Sequence, residues 1–121
     1  PHSDVIEFQK KSQVLLFVVN NVPSAKGIIT GKIFEYLAAK RPILAIAPEN
    51  GDLAEILKES NAGIIVDFEN KMKLKKSILE LFLKFKSNTL TVDSKGIEKY
   101  HRKNLTKKVA DIIFKIVELK K

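Results

Sequence analysis

The sequence predicts an α/β fold: a partial Rossmann-like, three-stranded parallel sheet with flanking helices and a C-terminal helical tail. Two observations carry that reading. Three short apolar runs, Val14–Val19, Ile43–Ala47 and Ile64–Val66, are rich in residues suited to buried strands. Between and after them lie segments with apolar residues at helical spacing, and a helix after each strand returns the chain for a parallel neighbour. With right-handed crossovers and sequential neighbours the strand order is 1-2-3, half of a doubly wound nucleotide-binding sheet.

In order, Ser3 or Asp4 caps a short first helix whose apolar side is Val5, Ile6 and Phe8, running to about Lys11. Val14–Val19 follows as a strand buried on both faces. The stretch from Asn20 to Ile29, with Asn20, Asn21, Pro23, Ser24 and Gly27, has loop chemistry. A helix opens near Thr30-Gly31 with Ile33, Phe34, Leu37 and Ala38 on one stripe. Arg41-Pro42 ends it, because proline lacks the N–H and restricts its predecessor.

After the second strand, Pro48–Gly51 is a turn and Asp52 caps a helix with Leu53, Ile56 and Leu57 inward. Asn61-Ala62-Gly63 reads as a left-handed helix stop before the third strand. Asn70 caps a longer helix carrying Leu74, Ile78, Leu81, Phe82 and Phe85. Residues 87–93 form a linker. The tail from Ser94 to Lys121 is helical, with a break near His101 where the apolar stripe shifts.

Composition narrows function. The 121 residues predict one domain or part of one, and their 45% hydrophobic content excludes a disordered chain. No apolar run reaches the roughly 18 residues a membrane span needs. The polar start Pro1-His2-Ser3-Asp4 lacks a leader pattern and an initiator Met, as expected of an excised or processed chain. Zero cysteines exclude disulfides, thiolate metal sites and a Cys nucleophile.

The net charge of +8 is uneven: residues 1–70 carry seven Lys/Arg against nine Asp/Glu, and residues 71–121 carry 15 against five. A basic segment of this kind is usually a solvated surface; as a partner face it suits nucleic acid, an anionic membrane leaflet or the negative half of a larger protein. Nucleic acid is not an expected partner, since no aromatics interleave with the basic residues to stack bases.

Ligands of open α/β sheets bind beyond the carboxyl ends of the strands, which singles out the Asn20–Thr30 and Pro48–Asp52 loops. The first feeds a helix beginning Thr30-Gly31-Lys32. Its free N–H groups and positive dipole end suit a phosphate, Gly31 admits close approach, and Lys32 adds a cation. Glu35, one turn on, can accept hydrogen bonds from the paired hydroxyls of a ribose. The alternative for these residues is an ordinary loop-to-helix junction with a surface Glu. Glu49 and Asp52 are accounted for by turn formation and capping. His2 and His101 are the only histidines and lie in unrelated elements, so neither a metal site nor a Ser-His-Asp triad is expected. His2 sits in a loop that can face the cleft, with a solvated terminal histidine as the preferred reading. Asn20 and Asn21 stand where a receiver domain needs a phospho-acceptor Asp, and neither common phosphate-cradling Gly motif occurs.

The run Gly31-Lys32-Ile33-Phe34-Glu35-Tyr36-Leu37-Ala38-Ala39-Lys40-Arg41-Pro42-Ile43-Leu44 resembles the donor-site helix and following strand of GT-B fold glycosyltransferases of group 1 type. Pro1–Ile6 with Ser12–Leu16, and Ala62–Asp67, resemble flanking parts in the same order, and Tyr100 with the last helix resembles the tail that in such enzymes crosses back toward the N-terminal domain. The likeness spans nearly the whole chain, residues 1–121, and corresponds to the second half of the nucleotide-sugar-binding C-terminal domain.

The resemblance implies sugar transfer from a nucleoside-diphosphate sugar to an acceptor, as in surface polysaccharide or glycoconjugate synthesis. It implies no cofactor beyond that donor substrate, a cytoplasmic location peripheral to the inner membrane face, and an acceptor domain supplied by the rest of the parent enzyme. This chain alone is expected to lack turnover, with no catalytic residue or metal ligand assigned. Glu35 matches the family's ribose-holding acid, and Thr30, Gly31 and Lys32 match the helix start beside the diphosphate. The second Glu that retaining members often place eight positions earlier is Gly27 here, leaving Ser24, Lys26 and Gly27 as the donor-sugar loop. The alternative is a non-catalytic assembly module that forms a homodimer through the Val14–Val19 edge.

Overall fold

The computed structural model describes residues 1–120. The chain runs α1 (His2–Lys11), β1 (Leu15–Val18), a 3-10 turn (Ala25–Gly27), α2 (Gly31–Ala39), β2 (Ile43–Ile46), α3 (Asp52–Ser60), β3 (Gly63–Val66), α4 (Lys71–Lys86), a 3-10 turn (Ile97–Tyr100) and α5 (Arg102–Leu119). The strands form one parallel sheet in the order β1-β2-β3, as the sequence predicts.

Register pairs Leu15 with Ile43 and Ile43 with Gly63. Because strand side chains alternate, Leu15, Phe17, Ile43, Ala45 and Ile65 point to one face, and Leu16, Val18, Leu44, Ile64 and Val66 to the other. The first face is covered by α2 through Ile33, Tyr36 and Leu37 and by α3 through Leu53, Ile56 and Leu57. The second face meets α4, chiefly Leu81 on Leu44 and Val66, with Leu90 of the segment that follows.

That asymmetry corrects the expectation that the first strand is buried on both faces. Leu15 and Phe17 are buried, but Leu16 and Val18 are 55% and 58% exposed. α4 reaches β2 and β3 and stops short of the outer strand. Leu15 N–H donates to Pro42 O and Val19 N–H to Ile46 O. In a parallel ladder alternate residues turn their polar groups to the same neighbour, so those of Leu16 and Val18 face the open edge. The Tyr36 hydroxyl donates to Leu16 O at 3.2 Å and occupies one of these acceptors.

Helix ends follow local chemistry. Lys40 (φ 54°) and Asn61 (φ 51°) take the left-handed conformation that stops α2 and α3. Asn70 caps α4 by accepting from Lys73 N–H at 3.1 Å. Gly51, rather than Asp52, occupies the cap position of α3; Asp52 and Glu55 lie in its first turn, where the dipole favours acids.

Two predicted stripes shift. In α2, Tyr36 is buried while Ala38 is exposed; Phe34 packs half-buried on Tyr100, ring centroids 5.3 Å apart. In α1, Phe8 is 72% exposed and Gln9 is buried, because this helix packs on α2 through the side that carries Ile6 and Gln9.

The tail is stapled to the body before it leaves it. Lys95 N–H donates to Ser60 O, the Asn61 side-chain amide donates to Asp93 O, and Ile97 is buried. Lys99 pairs with Glu59; the hydrogen bond between them holds the Glu59 carboxyl below its ordinary range and pushes the Lys99 ammonium up. The chain then breaks at His101, which is extended (φ −62°, ψ 137°), as the shift in the apolar stripe predicts. Beyond it, no residue of α5 is buried. Among the described residues, no helix is long and apolar enough to cross a membrane.

Candidate functional site

Thr30 stands at the cap of α2 in extended conformation, and Gly31 is the first helical residue. Ile33, fully buried, and Leu37 anchor this helix to the sheet, so its N-terminus is fixed at the carboxyl end of β1. The Thr30 side chain makes no capping hydrogen bond. A cleft of about 250 Å³ opens there, lined by Phe17, Val19, Asn20 and Ile28 together with Thr30 and Lys32. A Cβ placed on Gly31 would meet nothing within 4 Å, so the backbone at the helix mouth is open to a ligand. The Lys32 ammonium lies 5.8 Å from the Tyr36 ring centroid, a cation–π contact that aims it along the helix.

Glu35 is not part of that cleft. It lines a separate hollow of about 220 Å³ between α1 and α2, with Ile6, Gln9 and Ala38. The structure therefore brings Thr30 and Lys32 together and sets Glu35 one helical turn away, on the flank shared with Gly31. Its carboxylate is 40% exposed. One oxygen accepts from Gln9 Nε2 at 3.4 Å, and the other lies 3.9 Å from His2 Nε2. The group is held in place by α1 and still has lone pairs open to solvent.

Gln9 is the member of this cluster that sequence reasoning missed, and His2, read as a solvated terminal histidine with the cleft as the alternative, stands beside Glu35. His2 is the first residue of α1, not a loop residue. The two are seven positions apart, two helical turns, and share one side of α1 with Ile6. A polar pair on the strip facing α2 was the available signal.

Ser24, Lys26 and Gly27 lie at the 3-10 turn, exposed, and the turn sits over the start of α3: a Cβ on Gly51 would come within 2.9 Å of Lys26 O. None of the three lines the cleft beside Thr30. Glu49 is engaged with Lys73 at 2.6 Å, a hydrogen bond that keeps its carboxyl below the ordinary range and ties the turn after β2 to α4. Among the described residues, no three His, Asp or Glu side chains gather as a metal site.

No family pattern, curated protein or solved structure matches this chain. The chemistry of the site thus rests on its own residues. Amides at the start of α2 and the Lys32 cation offer positive potential to an anion, while Glu35 offers acceptors to a neutral polyol about 6 Å further along the axis. This is binding and orienting chemistry. No side chain here stands poised as a nucleophile with its base.

Proposed function

We propose that this chain supplies part of the donor-nucleotide site of a glycosyltransferase that uses a nucleoside-diphosphate sugar. The observation that carries the reading is the half-exposed Glu35 carboxylate one turn inside a helix whose N-terminus opens on a cleft at the end of β1. The amides of Gly31 and Lys32 with the Lys32 ammonium hold the diphosphate, and Glu35 accepts from the ribose hydroxyls. In the transfer step the same amides and cation stabilise the charge that develops on the leaving diphosphate, and the fixed helix supplies this without reorganisation. The donor class places the enzyme in the cytoplasm, at the inner membrane face for a lipid-linked acceptor. The acceptor domain belongs to the parent enzyme, and this chain by itself binds without turning over.

Titration with UDP and GDP, followed at the backbone amides by NMR, tests the proposal. The largest shifts are expected at Gly31, Lys32 and Ile33. Shifts confined to the α4 or α5 surface, or none at all, would count against it.

A second reading is favoured by one observation. Leu16 and Val18 lie exposed at an open strand edge, and Leu16 borders an apolar groove of about 380 Å³ walled by Ile78, Phe82 and Phe85. On this reading the chain is an assembly module in which two copies pair through β1. Sedimentation velocity should then show a dimer that Val18→Lys converts to monomer. A monomer at high concentration in the unmodified chain would exclude it.

A further inference from the structure

Gln9 is the one buried residue of α1, at 7% exposure, while its neighbour Phe8 is left in water. Packing alone favours the reverse, since burying an aromatic ring gains more than burying an amide. The buried amide is aimed at a carboxylate: Gln9 Nε2 donates to Glu35 Oε2 at 3.4 Å. The other oxygen, Oε1, lies 3.9 Å from His2 Nε2, beyond hydrogen-bond reach, and the side chain is half-exposed. One oxygen is thus tethered from the protein side and the other is left to solvent. A carboxylate offers about four lone-pair positions, which leaves room for two hydroxyls.

We propose that Gln9 is a positioning residue that fixes the plane of the Glu35 carboxylate, so that the site prefers ribonucleoside over 2′-deoxyribonucleoside diphosphates. The inference rests on the donor-site reading and adds to it the class of nucleotide. Untethered, a glutamate carboxylate turns broadly about its last bond and meets a diol in many poses. Held at one oxygen by a buried amide, it presents the same edge to both hydroxyls, already ordered by the fold. A ligand without the 2′-hydroxyl leaves one of those acceptors unused.

The test is calorimetric titration of UDP and 2′-deoxy-UDP into the unmodified chain, Gln9→Met and Gln9→Glu, with thermal midpoints recorded. The unmodified chain should prefer UDP at least about ten-fold. Gln9→Met fills the same space beside Ile6, Ala38 and Ala39 without a donor, so its midpoint should hold. It should cut the preference about three-fold or more through weaker UDP binding, and leave 2′-deoxy-UDP within about two-fold. Gln9→Glu keeps the length, turns the donor into a second acid, and should do the same. Equal losses for the two nucleotides would make Gln9 purely structural and overturn the proposal. A preference that neither variant changes would also overturn it, as would equal affinities in the unmodified chain. In each of these cases UDP still binds, and the donor-site reading stands. Absence of UDP binding to the unmodified chain would overturn that reading, and this inference with it.

Discussion

Gly63→Ala should unfold the chain or cost it about 3–5 kcal/mol in urea denaturation, at the upper end of single-substitution effects. A Cβ at this position would run into the carbonyl oxygen of Ile43 and lie 2.9 Å from the Ile43 Cβ. Both obstacles belong to the central strand. Ile43 is paired with Gly63 in register, is almost fully buried, and donates its own N–H to Ala62 O at 3.1 Å. Relief therefore requires β2 and β3 to part at their first rung, and the core between the sheet and α3 loosens with them. Gly27→Ala is the control. A Cβ there meets nothing within 4 Å, so the change should stay within about 0.5 kcal/mol. Equal stability of both variants would show that β3 is not held against β2 as described.

The parallel sheet and its order were legible because three β-rich apolar runs alternate with helical stripes, and each crossover helix returns the chain for a parallel neighbour. Asn61, Asn70 and the break at His101 were legible for a local reason: left-handed stops, side-chain caps and stripe shifts act within a few residues. The exposure of Leu16 and Val18 was not. A run of apolar residues reports what a strand can bury, whereas the extent of α4 decides what is buried. The same holds for Tyr36, whose inward place depends on a carbonyl twenty residues away. Of the site, the helix mouth and Glu35 were readable as residue types at the right spacing. Their separation into two hollows was not, because it depends on α1 docking through Gln9.

Glu35 is the residue on which the donor-site account rests, and its replacement should have the second large effect. Alanine is the weaker probe. It would leave the buried Gln9 amide without its carboxylate and so mix a packing loss with a binding loss. Glu35→Gln keeps a side-chain oxygen for Gln9 and removes the charge and the second acceptor oxygen, the features that suit two vicinal hydroxyls. Since Glu35 is half-exposed, little stability is at stake. Losing one hydrogen bond to a charged group costs about 1.5–3 kcal/mol, roughly ten-fold or more in affinity.

Calorimetric titration of UDP into the unmodified chain and into Glu35→Gln, with thermal midpoints recorded for both, tests this most directly. The account predicts matching midpoints and binding weakened at least about ten-fold by the substitution. Equal affinities in the two proteins would contradict it, and would remove the carboxylate from any part in holding a ribose.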